Sequence, residues 1–318
     1  MHSEPIRSSD QLIQRAIQIA KDDRPKTVVV AAAQDADVID AISQSQAKGL
    51  LTGVLVGDKA AIERLADEHG IEIKNLEIID RSDPLEAAHH AVKLASTGKA
   101  DVIMKGFLPT SAILKVVLDK RYNLRGENTL SHCAVLDIPG YDRLLNITDG
   151  GMVVKPDLEQ RIQVLQNALV VARALGCVPV KVAVSSAVCQ HSDMPPERHA
   201  ELEAFLALTK TRCTDVVLQG PLTLDAATNI DAARERKAEG PVAGEADVYL
   251  VDSVEEGNIV AKTLIQFAGA VFAGVIVGAK VPVSLVSRTD TVKNKMASLA
   301  VACVVAEYQR HAQAEVRS

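Results

Sequence analysis

Ser287-Arg288-Thr289-Asp290 puts a cation, two hydroxyls and a carboxylate in four consecutive positions. An apolar, β-branched run at 281–286 precedes them and a long helical pattern starts just after them. Arginine offers a planar fork of donors that suits a phosphate or a developing oxyanion. A helix N-terminus adds backbone N–H groups and a field favourable to anions. The same four residues also read as a capped helix start, with Thr289 or Asp290 as N-cap and Arg288 in solvent.

Other polar groups end apolar runs in the same way. Asp149-Gly150-Gly151 follows the run at 144–148, and its glycines allow close backbone approach to a ligand or simply a tight turn. Lys105-Gly106 follows the run at 100–104. Asp252 follows 248–251, and Glu256-Gly257-Asn258 opens the next helical segment. His132 stands alone beside Ser131 in a strand-like stretch, where a core residue is expected rather than a base. His89-His90 lacks metal-ligand spacing. HExxH, GxGxxG, Walker and GxSxG patterns are all missing. Cys303 sits in an apolar stripe, where burial raises a thiol's pKa and makes it a poor nucleophile.

These residues need a scaffold that collects strand ends. Apolar runs at 27–33, 50–56, 76–80 and 100–105 alternate with helical patterns at 37–49, 59–69, 84–97 and 109–120. This βα alternation predicts a parallel sheet covered by helices. The pattern loosens between 122 and 142, then resumes with strands at 129–138, 144–148, 180–186, 216–219, 248–251 and 271–277. Helices are predicted at 158–175, 197–212, 224–237 and 257–268. The last helix, 292–313, is apolar nearly all round and is expected either inside a domain or across a subunit interface. In open α/β sheets the carboxyl ends of strands face the ligand. The reading is two α/β domains with mostly parallel sheets: 1–139 plus 286–318, and 140–285.

Composition narrows the function. The 318 residues are 47% apolar but only 3% aromatic, with no Trp, so the core is built of Ala, Val, Ile and Leu. With 35 basic and 41 acidic residues the chain is negative by 6 and has no basic block, which argues against nucleic acid. The N-terminus carries charge and no apolar core, unlike a signal peptide. The longest apolar stretch, 268–279, is glycine-broken and far short of the ~20 residues a membrane span needs. Five cysteines without CxxC spacing suggest neither a zinc site nor a disulfide framework, so a cytoplasmic setting is expected.

Several stretches together resemble the phosphate acetyltransferase/phosphate butyryltransferase family. They are MKGFLPTSAIL at 104–114, NITDGGMVVKPDLEQ at 146–160, QGPLTLDAA at 219–227, EEGNIVAKTL from Glu255, and GVIVGAKVPVSLVSR with TDTVKNKMASLA toward the C-terminus. The SRxD form and the GPLTLD segment look closer to the butyryl branch. The resemblance implies reversible transfer of a short acyl group (acetyl, propionyl or butyryl) between coenzyme A and inorganic phosphate. It implies an isocitrate/isopropylmalate dehydrogenase-like fold with a cleft between the domains, and a homodimer or higher homo-oligomer. It implies no metal, no cofactor beyond the substrates, and no covalent acyl-enzyme.

The family's motif serine and arginine fall on Ser287 and Arg288, which with Asp290 form the expected catalytic group. The acetyl branch has an aspartate six residues after that arginine; here the position is Asn294, which cannot act as a carboxylate base. Substrate binding is expected from Lys105 and Gly106, from Ser131, and from Asp149 and Gly150. Gly257 and Asn258, the turn residues Gly278 and Lys280, and Asn294 complete that expectation. Two alternatives stay open. One is a metal- and NAD-dependent decarboxylating dehydrogenase of the same fold, recruiting Asp225, Asp247 and Asp252. The other is a non-catalytic relative that binds acyl-CoA as a sensor, which Asn294 motivates.

Overall fold

A computed structural model describes residues 4–286 and 290–317, with side chains through residue 314. Ser287, Arg288 and Thr289 lie outside the described residues.

In chain order the first elements are α1 (Ser9–Asp22), β1 (Lys26–Ala31), α2 (Ala36–Ala47), β2 (Leu51–Gly57), α3 (Lys59–His69), β3 (Glu77–Asp80), α4 (Pro84–Ser96), β4 (Val102–Lys105) and α5 (Thr110–Val117). Next come β5 (Ser131–Asp137), β6 (Leu144–Thr148), α6 (Leu158–Ala174), β7 (Val180–Ser185), α7 (Pro196–Arg212), β8 (Val216–Leu222), α8 (Leu224–Thr228) and α9 (Ile230–Glu235). The chain closes with β9 (Val248–Leu250), α10 (Val254–Ala268), β10 (Val271–Val277), β11 (Val283–Ser284) and α11 (Val292–Arg317).

Two compact units emerge, labelled only by their place along the chain: Ser9–Glu127 with Phe272–Ser318, here the outer unit, and Met1–Ser8 with Asn128–Val271, the central unit. These divisions differ from the predicted ones at 139/140 and 285/286. Strand pairing explains why. β5 forms an antiparallel ladder with β6 and stays with the central unit, whereas β11 pairs in parallel with β4 and joins the outer one.

In the outer unit the strands run in the order β3-β2-β1-β4-β11-β10. They are parallel except where β10 meets β11. Val28–Ala31 are fully buried, as a strand covered on both faces requires. Residues 296–305 of α11 are all buried, so this part of the helix is packed on every side, with α1 and α2 against the helix. In the central unit the order is β5-β6-β9-β7-β8, parallel apart from the β5–β6 pair.

Local chemistry sets the element ends. Asp35, Asp58, Asp83 and Asp157 each cap a helix through the side-chain carboxylate, and Gln160 completes a capping box at α6. One continuous helix was predicted at 224–237. Instead Asn229 adopts extended backbone and its side chain caps α9, so α8 and α9 form separate short helices. β11 keeps only two residues of the predicted run at 281–286. Among the described residues no helix is long and apolar enough to cross a membrane.

Candidate active site

In the central unit the candidate residues gather at the carboxyl edge of β6, β9 and β7. Thr148 pairs beside Leu250, so the residues that follow, Asp149 and Val251 with Asp252, leave the sheet together. Asp149 is 3% exposed. One of its oxygens accepts from the N–H groups of Gly151 and Met152, at 2.8 and 3.0 Å, and the other from Val153 at 3.0 Å. Burial pushes its pKa up, and these backbone donors oppose that shift. The carboxylate is thereby spent on folding its own loop.

That loop docks on the first turn of α10, which Ser253 caps. Asn258 Nδ2 donates to the Gly150 carbonyl at 3.2 Å. Gly150 and Gly257 come so close that a Cβ on Gly257 would stand 2.7 Å from the Asp149 carbonyl oxygen. The glycines are therefore required by this backbone crossing. Asp149, Gly150, Gly257 and Asn258 form one assembly. Beside it, Glu256 accepts from the Asp252 N–H at 3.0 Å, and burial raises its pKa.

Ser131 and His132 are placed differently. Ser131 is fully buried on β5, and its hydroxyl accepts from Asn167 of α6 at 2.8 Å. His132 is buried too, and desolvation lowers its pKa to about 4, which keeps the ring neutral at physiological pH.

A cavity of about 550 Å³ opens at the same edge, lined among others by Lys155, Asp157, Arg161, Glu197, Arg198 and Asp252. Arg161 lies 2.6 Å from Asp252, over the ring of Phe205. Burial first, and Arg198 second, lower its pKa to about 10. Arg198 also pairs with Asp252. The sequence reading found Asp252 at its strand end but missed both arginines. The available signal was the position of Arg161 one turn after the Asp157 cap, on the helix that faces this strand end.

In the outer unit the register brings Lys105 level with Ala31, and Met104 with Ser284. The chain leaving β11 toward Ser287 thus starts at the carboxyl edge that carries Lys105. The Lys105 ammonium is buried and donates to the carbonyls of Gly106 and Leu108, at 3.3 and 3.4 Å. A Cβ on Gly106 would meet the Ala32 carbonyl oxygen at 2.1 Å, so this glycine serves the close approach of the loops after β1 and β4. Gly278 (φ +100°) and Lys280 form the turn after β10, where Lys280 N–H donates to the Leu124 carbonyl at 2.8 Å and the side chain is exposed.

The N-terminus of α11 departs from expectation. Asp290 is not positioned as its cap, because the helix begins at Val292 and the Thr291 hydroxyl accepts from Asn294 N–H at 3.2 Å; Thr289, the other expected cap, lies outside the described residues. The Asp290 carbonyl accepts from the buried Lys295 ammonium, which also reaches Asp37 at 3.4 Å. The Asn294 side-chain oxygen accepts from Phe272 N–H at 3.2 Å, tying α11 to the start of β10. The expected catalytic pair Ser287 and Arg288 lies outside the described residues.

Comparison with known proteins adds the decisive observation. The family model described as "Phosphate acetyl/butaryl transferase" matches residues 11–88 and 82–303. The chain belongs to the phosphate acetyl/butyryl transferase family. It is 39% identical to a probable phosphate butyryltransferase of Bacillus subtilis over 289 residues, 90% of this chain and 95% of that one. It is 36% identical to the phosphate butyryltransferase of Clostridium acetobutylicum over 304 residues, 95% of this chain and 99% of that one. Among solved structures, a branched-chain phosphotransacylase from Enterococcus faecalis superposes with a TM-score of 0.77 at 28% identity, covering 88% of this chain and 99% of the other. The Asp149 loop and the residues after β11 thus sit within the stretch that defines the phosphate acetyl/butyryl transferase family.

Proposed function

We propose that this enzyme transfers a short acyl group, acetyl, propionyl or butyryl, reversibly between coenzyme A and inorganic phosphate, releasing an acyl phosphate. The observation that carries this reading is the family match running almost from end to end of the chain. Attack of phosphate on a thioester passes through a tetrahedral, negatively charged centre. Arg288 and Ser287 are proposed to bind the phosphate and the carbonyl oxygen as that charge develops, and one such donor is typically worth ~10²–10³ in turnover. Lys105, where the chain of β11 emerges alongside, adds positive charge at that edge. Alignment of the two bound reactants supplies much of the remaining acceleration. In the reverse direction the thiol must lose a proton to a base within hydrogen-bond reach, and Asp290 is the proposed carboxylate. No covalent acyl-enzyme, metal or further cofactor enters this scheme. An isocitrate/isopropylmalate dehydrogenase-like arrangement, a homodimeric or larger assembly and a cytoplasmic location belong to the same proposal.

The dehydrogenase alternative is not favoured by the placement of its would-be ligands. Asp247 and Asp252 flank β9 at opposite ends, five extended residues or roughly 16 Å apart. Each is already engaged: Asp247 with Arg143 at 3.6 Å, Asp252 with Arg161 at 2.6 Å, and Asp225 with Arg236 at 2.7 Å. The test is direct. Purified enzyme is given acetyl-, propionyl- or butyryl-CoA with phosphate, and free thiol is followed. Phosphate-dependent thiol release that survives EDTA and needs no nicotinamide supports acyl transfer. Tight acyl-CoA binding without turnover would instead support a sensor.

A further inference from the structure

Outside the candidate active site, the structure gathers His191, His199 and Glu203. His191 lies on a 3-10 turn (His191–Asp193) in the loop before α7, and His199 and Glu203 lie one helical turn apart on α7. The two imidazoles and the carboxylate offer ligand atoms that all fall within 4.8 Å of one another. His191 Nε2 is 3.6 Å from Glu203 Oε1, and His199 Nε2 is 3.9 Å from the same oxygen. These separations are too long for hydrogen bonds. They do approach the edge of a zinc tetrahedron, which is about 3.3 Å when metal–ligand bonds are near 2.05 Å.

The chemistry of the set is also specific. Among the described residues, no lysine or arginine lies within ion-pair distance of Glu203. Its carboxylate faces the two imidazoles, whose ring centroids are 5.1 Å apart. A neutral imidazole is a ligand for borderline transition ions rather than for magnesium or calcium, which prefer all-oxygen shells. Two histidines and one carboxylate make a common three-ligand zinc set that leaves a fourth position for water.

We propose that His191, His199 and Glu203 bind one zinc-class divalent transition-metal ion. The ion clamps the loop before α7 onto the helix. On its neighbouring face the same helix presents Glu197, Arg198 and Glu201 to the 550 Å³ cavity. Binding therefore rigidifies one wall of that cavity and takes no part in acyl transfer.

The test uses the full-length protein, stripped with chelator and titrated with zinc chloride or cobalt(II) chloride alone. Wild type is expected to take up one ion per chain, to gain thermal stability with zinc, and to give a cobalt spectrum with weak visible bands and no thiolate charge-transfer band. The His199→Ala/Glu203→Gln double variant changes partly exposed side chains. It is expected to fold with the same circular dichroism and to bind roughly 100-fold more weakly or worse, since even outer-shell partners of a metal site cost 10–100-fold. The zinc-dependent rise in melting temperature should disappear with it. Lack of saturable binding by wild type, equal affinity in the variant, or a cobalt–thiolate band that reports one of the five cysteines would each overturn the assignment.

Discussion

Gly150 and Gly257 meet backbone to backbone. A Cβ on Gly150 would lie 2.9 Å from the Gly257 carbonyl carbon, and one on Gly257 would lie 2.8 Å from Gly150 Cα. No flexible side chain can yield here, so the loop after β6 and the first turn of α10 are held at a distance that only two glycines permit.

Gly257→Ala is therefore expected to push α10 and the Asp149 loop apart. A displacement of about 1 Å in a positioning element can cost roughly 10²-fold in rate. We expect kcat/KM for butyryl-CoA to fall by about that factor while the circular dichroism stays native. Steady-state kinetics of the purified variant check this, and wild-type kinetics would show that the loop contributes nothing to positioning substrate.

Arg288→Ala should abolish most phosphate-dependent thiol release, by ~10²–10³ in kcat, with an unchanged melting temperature. Arg288→Lys should recover only part of the rate, because an ammonium lacks the planar fork that meets two oxygens at once. The readout is the initial rate at saturating phosphate; full activity in the alanine variant would remove Arg288 from the reaction.

Much of the scaffold was legible because apolar β-branched runs and Gly or Asp punctuation alternate along the chain. β1, β2 and α3 are examples, and Asp58 and Gly70 bracket α3 in sequence as they do in space. Asp149, Gly150, Gly257 and Asn258 were legible as strand-end and helix-start residues. Their shared assembly was not, since it depends on β6 pairing with β9, a partnership between segments about a hundred residues apart. The compact units divide elsewhere than the predicted domains for the same reason, because pairing assigns β5 and β11. Arg198 and the His191–His199–Glu203 cluster carry no local signature, and the place of Arg161 one turn after the Asp157 cap does not name its partner. Long charged side chains on helices are ordinary surface residues until a fold gives them partners.

Asn294 occupies the position where the acetyl branch has an aspartate, yet its carbonyl is spent on Phe272 N–H inside the outer unit. Asn294→Leu leaves that buried donor unpaired and should cost about 1–3 kcal/mol in urea unfolding. Asn294→Asp keeps an acceptor at the third position of α11, where the helix field favours a carboxylate. It should retain near-wild-type stability and turnover. A marked gain in rate for the aspartate variant would instead show that this position reaches the reacting thiol.

Acid stability should report the Lys26–Glu307 pair. Lys26 is 2% exposed, and its ammonium lies 2.6 Å from Glu307 and 3.4 Å from Asp23. Burial tends to raise the Glu307 pKa. Hydrogen bonds from Arg310, Lys26 and His311 outweigh that and bring it down to about 2, from an ordinary 4.5. In this range the unfolded chain binds the extra proton, so stability rises with pH. The contribution is complete above about pH 4.5 and drains away as pH falls toward 2. Glu307→Gln removes the charge that balances a buried ammonium, which costs about 3–5 kcal/mol where no other partner remains. Asp23 stays within reach, so a loss near the lower end is expected at pH 7. The difference between wild type and variant should shrink steadily in urea melts taken between pH 4.5 and 2.5. A gap that holds constant across those melts would mean that packing of α11 against α1 and α2, and not this charge pair, fixes the helix in place.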